Sequence, residues 1–473
     1  MQATKPTVLN KLQDFLFGGI SIASLVFFRI VFGILAFLDV LITWIWYHLT
    51  KDSFNPENYQ FGYIGFEWLG PFPDPFMSFI FFLLMILAIL ITVGYRYRMS
   101  ALLFGLGFTY LFLLEKSHYL NHAYLFCVLS FIMAFLPAHK AFSYDVIKGW
   151  TNGVKQVPRL SILILNFCMG IVYFFGGIAK INSDWLNALP LKLWLPAKKD
   201  YFLIGQILEK EWMAWFMSYG GLFLDLFVVP LLLFRKTRWL AFGLSCFFHL
   251  TNAAIFKIGI FPWLSIALTA LFFKPDFPKR GLDYFKSKFK IIQAQVSKYQ
   301  QTLLDQNILI ADQYQIPSSK RRKWTIMLLI PFILINLSLP LRHHFFEGNV
   351  AWTEEGHRYS WRMMLRSKRA RGHFRVVNAK TKEEIKIKPK EVLKPKQARK
   401  VLTHPDMIWQ YAQHLKKKYQ KEWNTEDVKV YADVKAKLHK RPYQQYINKE
   451  IDLGNTSWEI FKNSNWIMPL KEK

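Results

Sequence analysis

Cysteine is scarce in this sequence: Cys127, Cys168 and Cys246 are the only three in 473 residues. Each lies inside an apolar run and none belongs to a CxxC pair. That argues against a disulfide framework and a cysteine metal centre, and the three read as buried free thiols. Acidic residues are scarce too, 32 against 61 Lys and Arg, for a formal charge of +29. No haem, flavin or iron–sulfur ligand set is visible, which weakens a reading as an electron-passing redox protein. There is no internal repeat and no low-complexity tract. The first 14 residues are polar, and the apolar run after them is too long for an h-region. A cleavable signal peptide is therefore not expected.

What the chain has is hydrophobicity. Apolar residues make up 52%, and 44 residues are Phe. A soluble protein of this charge would not be so apolar, but apolar spans alternating with basic loops satisfy both facts. Runs of bilayer length are predicted near 20–47, 75–94, 99–114, 119–137, 160–179, 213–234, 239–256, 258–273 and 325–341. The first is long enough to tilt or to end in an interfacial turn. The fold class expected is a mainly α integral membrane protein, with about nine transmembrane helices over 1–341 and a smaller extracytoplasmic α+β domain over 342–473.

The loops sort by charge. Arg96 and Arg98 follow the second run, and Lys140, Lys148, Lys155 and Arg159 the fourth. Arg235, Lys236 and Arg238 follow the sixth, and a long basic segment from Lys274 to Lys323 follows the eighth. The alternate loops hold Asp52, Glu57, Glu67, Asp74 and Glu115. The positive-inside rule then puts the N-terminus in the cytoplasm and the basic tail outside, because long domains translocate largely regardless of charge. Nucleic acid is not an expected partner of a domain on that side. The linker over 281–320 is expected to lie amphipathically along the inner surface. In the tail, HFRVV and EEIKIK flank an Asn-Ala-Lys-Thr turn as in a hairpin. DMIWQYAQHLKKKY has helical spacing, and VKVYADVKAKL alternates like a strand.

The stretch YFFGGIAKINSDW ends an apolar run with one amine, Lys180. Gly170, Tyr173, Gly177 and Lys180 share a helical face. Two readings are open: a snorkelling lysine on a glycine-packed helix, or a lysine beside space for a flat ligand. His122 opens the fourth run, and His249, which shares a face with Asn252, lies in the seventh. The predicted topology brings all three nitrogens near one membrane surface, and ionisable groups inside spans mark function by default. Arg29, Asp39 and Asp225 are further intramembrane charges, expected to form structural ion pairs. His343 and His344 are adjacent, a poor chelating spacing, and no metal is expected.

Several segments together resemble the vitamin K-dependent γ-glutamyl carboxylase family, in a compact, bacterial-type form with an HTTM-type membrane domain. They are FFRIVFGILAFLDV (27–40), NHAYLF (121–126), YFFGGIAKINSDW (173–185), GGLFLDL (220–226), FFHLTNAAIFKIGIFPW (247–263) and YSWRMM (359–364). They occur in the family's order and cover nearly the whole chain. The resemblance implies carboxylation of a protein glutamate by CO2, coupled to epoxidation of reduced vitamin K or menaquinol by O2. In that reaction a lysine deprotonates the quinol, and the oxygenated quinone becomes a base strong enough to take a γ-proton. The matching residues are Lys180 as base and His122 at the carbanion or CO2 step. Tyr359 and Trp361 match residues that handle the glutamate. Tyr173, Gly176, Gly177, His249 and Asn252 are expected around the quinone. The implied partners are a glutamate-containing protein or peptide and the lipid bilayer, and the implied location is a bacterial inner membrane facing the periplasm. The oligomeric state and the natural quinone stay open.

The sequence also departs from the family. After YSW the family commonly has an acid, a histidine and an arginine, where this chain has Arg362, Arg366 and Lys368. The lumenal disulfide has no counterpart, and the long lumenal extension of the animal enzymes is expected to be absent or much reduced. Two alternatives follow: a quinol epoxidase without carboxylation, and a non-catalytic quinone-binding scaffold.

Overall fold

The computed structural model describes residues 8–46, 53–256, 258–306, 308 and 310–471. Tyr47, which ends the first predicted run, and Asp52 lie outside the described residues, as does Lys257 of the FFHLTNAAIFKIGIFPW segment. Each predicted apolar run contains a helix. These are α1 (Ala23–Leu41), α2 (Asp74–Val93), α3 (Tyr97–Leu114), α4 (Asn121–Phe135), α5 (Leu160–Ile178), α6 (Glu211–Leu233), α7 (Arg238–Ile255) and α8 (Phe261–Ala270). Two polar helices, α9 (Phe277–Lys288) and α10 (Lys290–Asp305), precede the last run, α11 (Ser319–Ser338). The first run ends in a π-helical turn, Ile42–Trp46.

Six of these helices are long and apolar enough to cross a bilayer: α1, α2, α3, α5, α6 and α11. The expectation of nine spans is corrected to that extent. The run over 119–137 keeps a helix of 15 residues and the run over 258–273 one of 10. At about 1.5 Å per residue neither matches the roughly 30 Å of a hydrocarbon core. Helix α7 has 18 residues but opens on Arg238 and carries His249 and Asn252 among its apolar residues. Apolar composition gave these three segments helices, but not of the length and composition that crossing a bilayer needs.

Lipid offers helices no hydrophobic drive to associate, so close packing must hold them. Helix α5 is the central element, with 61% of its apolar window buried, against 11% for α11. A Cβ on Gly177 would stand 2.7 Å from Leu226 Cδ2 and 3.1 Å from the Leu226 backbone nitrogen. Glycine there lets α5 and α6 approach backbone to side chain.

The tail folds around a four-stranded antiparallel sheet, β1 (Lys368–Asn378), β2 (Glu384–Ile387), β3 (Val428–Leu438) and β4 (Gln444–Gln445), in the order β2-β1-β3-β4. The hairpin forms with Phe374 opposite Ile387 and Val377 opposite Glu384. In β3 the alternating residues Val428, Val430, Ala432, Val434, Ala436 and Leu438 are buried. Helices α12 (Pro395–Val401) and α13 (Pro405–Glu422) cover that face, with Met407, Ile408, Tyr411 and Leu415 in the shared core.

A short loop docks the tail on the helices. The Glu115 carboxylate accepts hydrogen bonds from the Phe61 nitrogen and from Gln397 Nε2. Lys116 pairs with Asp406 at 2.8 Å, and the Tyr119 hydroxyl accepts from the Tyr359 nitrogen at 2.6 Å. Farther along, Asp184 pairs with Arg441 at 2.9 Å.

Candidate functional site

Lys180 sits two residues past the end of α5, just before Asn182, which caps the short helix Ser183–Leu186 by accepting from the Trp185 nitrogen. This cap stops the apolar helix and fixes the amine. Nζ donates to the Gly176 carbonyl at 3.1 Å and lies 2.5 Å from Asp225 Oδ2 on α6. The Trp185 ring lies beneath the amine, 5.3 Å from its centroid. A Cβ on Gly176 would stand 3.1 Å from that same carboxylate oxygen. The two glycines of the segment therefore leave room for Asp225 and Leu226, and neither forms part of the wall of the cavity described next.

A cavity of about 990 Å³ opens in front of the amine. Lys180, Asp225, Tyr173, His249, Asn252 and His122 all line it. The three nitrogens expected near one surface thus face one space, from α5, α7 and the start of α4. The Tyr173 hydroxyl joins His249 Nε2 at 2.8 Å, Ser245 Oγ at 2.9 Å and Thr269 Oγ1 at 3.2 Å. This buried knot holds the His249 ring by its Nε2 side. Asn252 donates to the Phe248 carbonyl at 2.9 Å. The His122 ring stacks on Phe261, with centroids 5.8 Å apart.

The intramembrane charges settle differently from expectation. Among the described residues Arg29 has no carboxylate within ion-pair distance; it donates to the backbone carbonyls of Ala138, Ala141 and Phe142 at 2.7, 3.1 and 2.6 Å. Carbonyl lone pairs where α4 ends supply what an ion pair would have supplied. Asp39 lines the cavity and has no ion pair among the described residues. Asp225 is in an ion pair, but with the candidate base itself, so it belongs to the site.

The cavity continues into the tail, where Arg358, Arg362, Met363, Arg366 and the α12 residues Lys396, Arg399 and Lys400 line it. Tyr359 and Trp361 do not. Trp361 is 2% exposed and packs on Tyr124, with Tyr359 against the same ring. Positive φ at both residues turns the YSW segment so that neighbouring arginines, not its aromatics, face the cavity.

Sequence reasoning missed two features here. Glu354, His357 and His404 bring ligand-type atoms within 4.8 Å of one another. The Arg366 guanidinium already bonds Glu354 at 2.6 Å and His357 at 3.1 Å, so a fixed cation neutralises that cluster. Asp406 is the second: it joins Arg358 at 2.6 Å and Lys116 at 2.8 Å. Burial alone would raise its carboxyl, but the two cations outweigh that and hold it well below the usual range. Burial pushes the Lys368 amine down to about 7, against the pull of Glu354.

The HTTM domain family matches residues 17–277, and the lumenal domain of the vitamin K-dependent gamma-carboxylase matches residues 321–473. No solved structure matches the chain. The first match alone spans more than half the chain, and the second covers the basic tail that closes over the helical site. With both domains present in order, the chain belongs to the vitamin K-dependent carboxylase family.

Proposed function

We propose that this protein γ-carboxylates a protein glutamate with CO2 while epoxidising a reduced naphthoquinone with O2. The observation that carries the reading is the buried Lys180–Asp225 pair on the wall of a cavity reaching from the helices into the tail. The quinol supplies, on reaction with O2, a base stronger than any side chain. A flat, lipophilic quinol fits a space bounded by Met169, Val172, Phe248 and Phe261, with Lys180, Asp225, Tyr173, His249, Asn252 and His122 as polar groups on the wall of the same cavity.

The residues divide the work. An ordinary lysine, with a pKa of about 10.4, is protonated and cannot act as a base. Asp225 can take the proton from Nζ, converting the ion pair to a neutral pair and leaving a lone pair on nitrogen. Lys180 then accepts the quinol hydroxyl proton. The Tyr173–His249 knot orients the far side of the ring, and the apolar walls keep water from the reacting atoms. His122 faces the space where the glutamate side chain meets CO2. The substrate enters through the tail, on the side away from a cytoplasmic N-terminus.

One observation favours a second reading, epoxidation without carboxylation. Lys180, Tyr173, His249 and Asn252 line the cavity, whereas the aromatics matched to glutamate handling stand behind the wall and Arg362 faces it. Purified protein in nanodiscs, given quinol, O2, labelled bicarbonate and a glutamate peptide, separates the two. Carboxylation predicts epoxide and fixed label together. Epoxide with no fixed label across a panel of peptides supports the second reading, and neither product contradicts both.

A further inference from the structure

Among the described residues, two ion-paired joints tie the tail to the helices. The first, Lys116 with Asp406, lies in the loop before α4. The second is built on the segment that carries Lys180. Asp184 follows the amine by four residues, in the first turn of the short helix Ser183–Leu186. Arg441, in the turn between β3 and β4, meets it with both ends of its guanidinium. Nη2 stands 2.9 Å from Oδ1, and Nη1 donates to Oδ2 at 3.1 Å. A fork of two bonds fixes a carboxylate in orientation as well as in distance. The buried His439 ring stands beside the pair, with Nε2 3.5 Å from Oδ2. Burial holds that imidazole below its ordinary value, against the pull of Asp184, so Arg441 supplies the cation. The His439 nitrogen donates to the Ser367 carbonyl at 2.7 Å, next to Arg366 on the cavity wall.

From Asp184 the line to the amine is short. Its neighbour Trp185 donates from Nε1 to the Ser218 carbonyl at 2.9 Å, and Ser218 Oγ donates back to the Trp185 carbonyl at 2.8 Å. Ser218 and Asp225 lie seven residues apart on one face of α6. The Trp185 ring is the one beneath Nζ. The segment after α5 is thus gripped from two sides, by α6 through Trp185 and by the tail through Asp184. We propose that Arg441 is a positioning residue for Lys180: the tail holds Asp184, and through Trp185 sets where the amine stands relative to Asp225 and the cavity. The inference rests on the proposed function for what Lys180 does, but not for how it is held. The tail then does more than close over the helices, because one of its side chains fixes a group on the membrane side of the site.

The test reads the position of Lys180 before it reads turnover. Protein in nanodiscs, without quinol, is treated with a small amine-acylating reagent, and modification of Lys180 is followed by mass spectrometry beside hydrogen exchange over 179–188. Asp184→Asn and Arg441→Gln should each speed modification of Lys180 about tenfold, the worth of one charge-assisted hydrogen bond. The double variant should add nothing, because both changes remove the same contact. Arg441→Lys, which keeps the charge and loses the fork, should fall between. In turnover, Arg441→Gln should lower kcat for epoxide about tenfold or more and leave the quinol KM within about twofold, as expected when a reacting group is misplaced in an intact pocket. Modification at the unaltered rate in both single variants overturns the proposal. So does exchange that rises across the whole tail in step with 179–188, which would make the pair a docking contact alone. Normal epoxide formation by Lys180→Ala, with Lys180 still exposed in Arg441→Gln, would sink the proposed function and leave the positioning role standing. Loss of epoxide in Lys180→Ala, with Lys180 still protected in Arg441→Gln, would do the reverse.

Discussion

Lys180 Nζ and Asp225 Oδ2 lie 2.5 Å apart, and each side chain is less than a tenth exposed. A carboxylate this close gives the amine a place to put its proton. Asp225→Asn should therefore lower epoxide formation about 100-fold or more, within the range by which a positioned acid–base group contributes. It should also shift the pH–rate profile of the remaining activity. A purely structural pair would reduce the yield of folded protein and leave the profile of the survivors unchanged.

His122 contacts the Phe261 ring and lines the cavity without joining the Tyr173 knot. His122→Ala should depress fixed label more than epoxide, by about tenfold in their ratio if the imidazole contributes one charge-assisted hydrogen bond. Parallel loss of both products would remove its special role.

Trp361 is a core residue here, packed on Tyr124 within the apolar core of the membrane helices. Trp361→Ala should cost about 3–5 kcal/mol of stability, as expected when a large buried aromatic is truncated. A thermal melt checks this. An unchanged melt with a raised requirement for peptide would return Trp361 to the substrate site.

Asp406 links the tail to the membrane part through Lys116 and pairs within the tail with Arg358. Its carboxyl is held below the usual range, so the stability it adds is complete well above an unfolded pKa of about 3.9. That contribution is lost as pH falls from there through the depressed folded value. Asp406→Asn should destabilise the docked form by about 3–5 kcal/mol at neutral pH, because Lys116 and Arg358 are left buried without their partner. It should also flatten the acid limb of stability against pH. An acid limb identical to that of the unaltered protein would show that other carboxylates carry it.

Much of this was legible in the sequence because it depends on local pattern. Apolar runs located the helices long enough to cross a bilayer, alternation located β3, and the lone amine after two glycines is a residue that lines the cavity. What was not legible depends on contacts between distant segments. Nothing near Asp225 in sequence announces that it meets Lys180, 45 residues earlier. Composition also cannot say that Gly176 and Gly177 clear space for α6 instead of a ligand. Helices α4 and α8 run for only 15 and 10 residues, so counting apolar residues overstated their length. Positive φ at Tyr359 and Trp361 reversed which side chains of YSWRMM face the cavity, and a motif read letter by letter does not carry that turn.

The central claim is that Lys180 is the base that starts the reaction. The direct measurement is epoxide formed from reduced vitamin K and O2 by Lys180→Ala in nanodiscs, beside quinol binding by the same sample. The account predicts that epoxide falls to the uncatalysed background while the variant still inserts and binds quinol. Epoxide formation at a rate near that of the unaltered protein would contradict it.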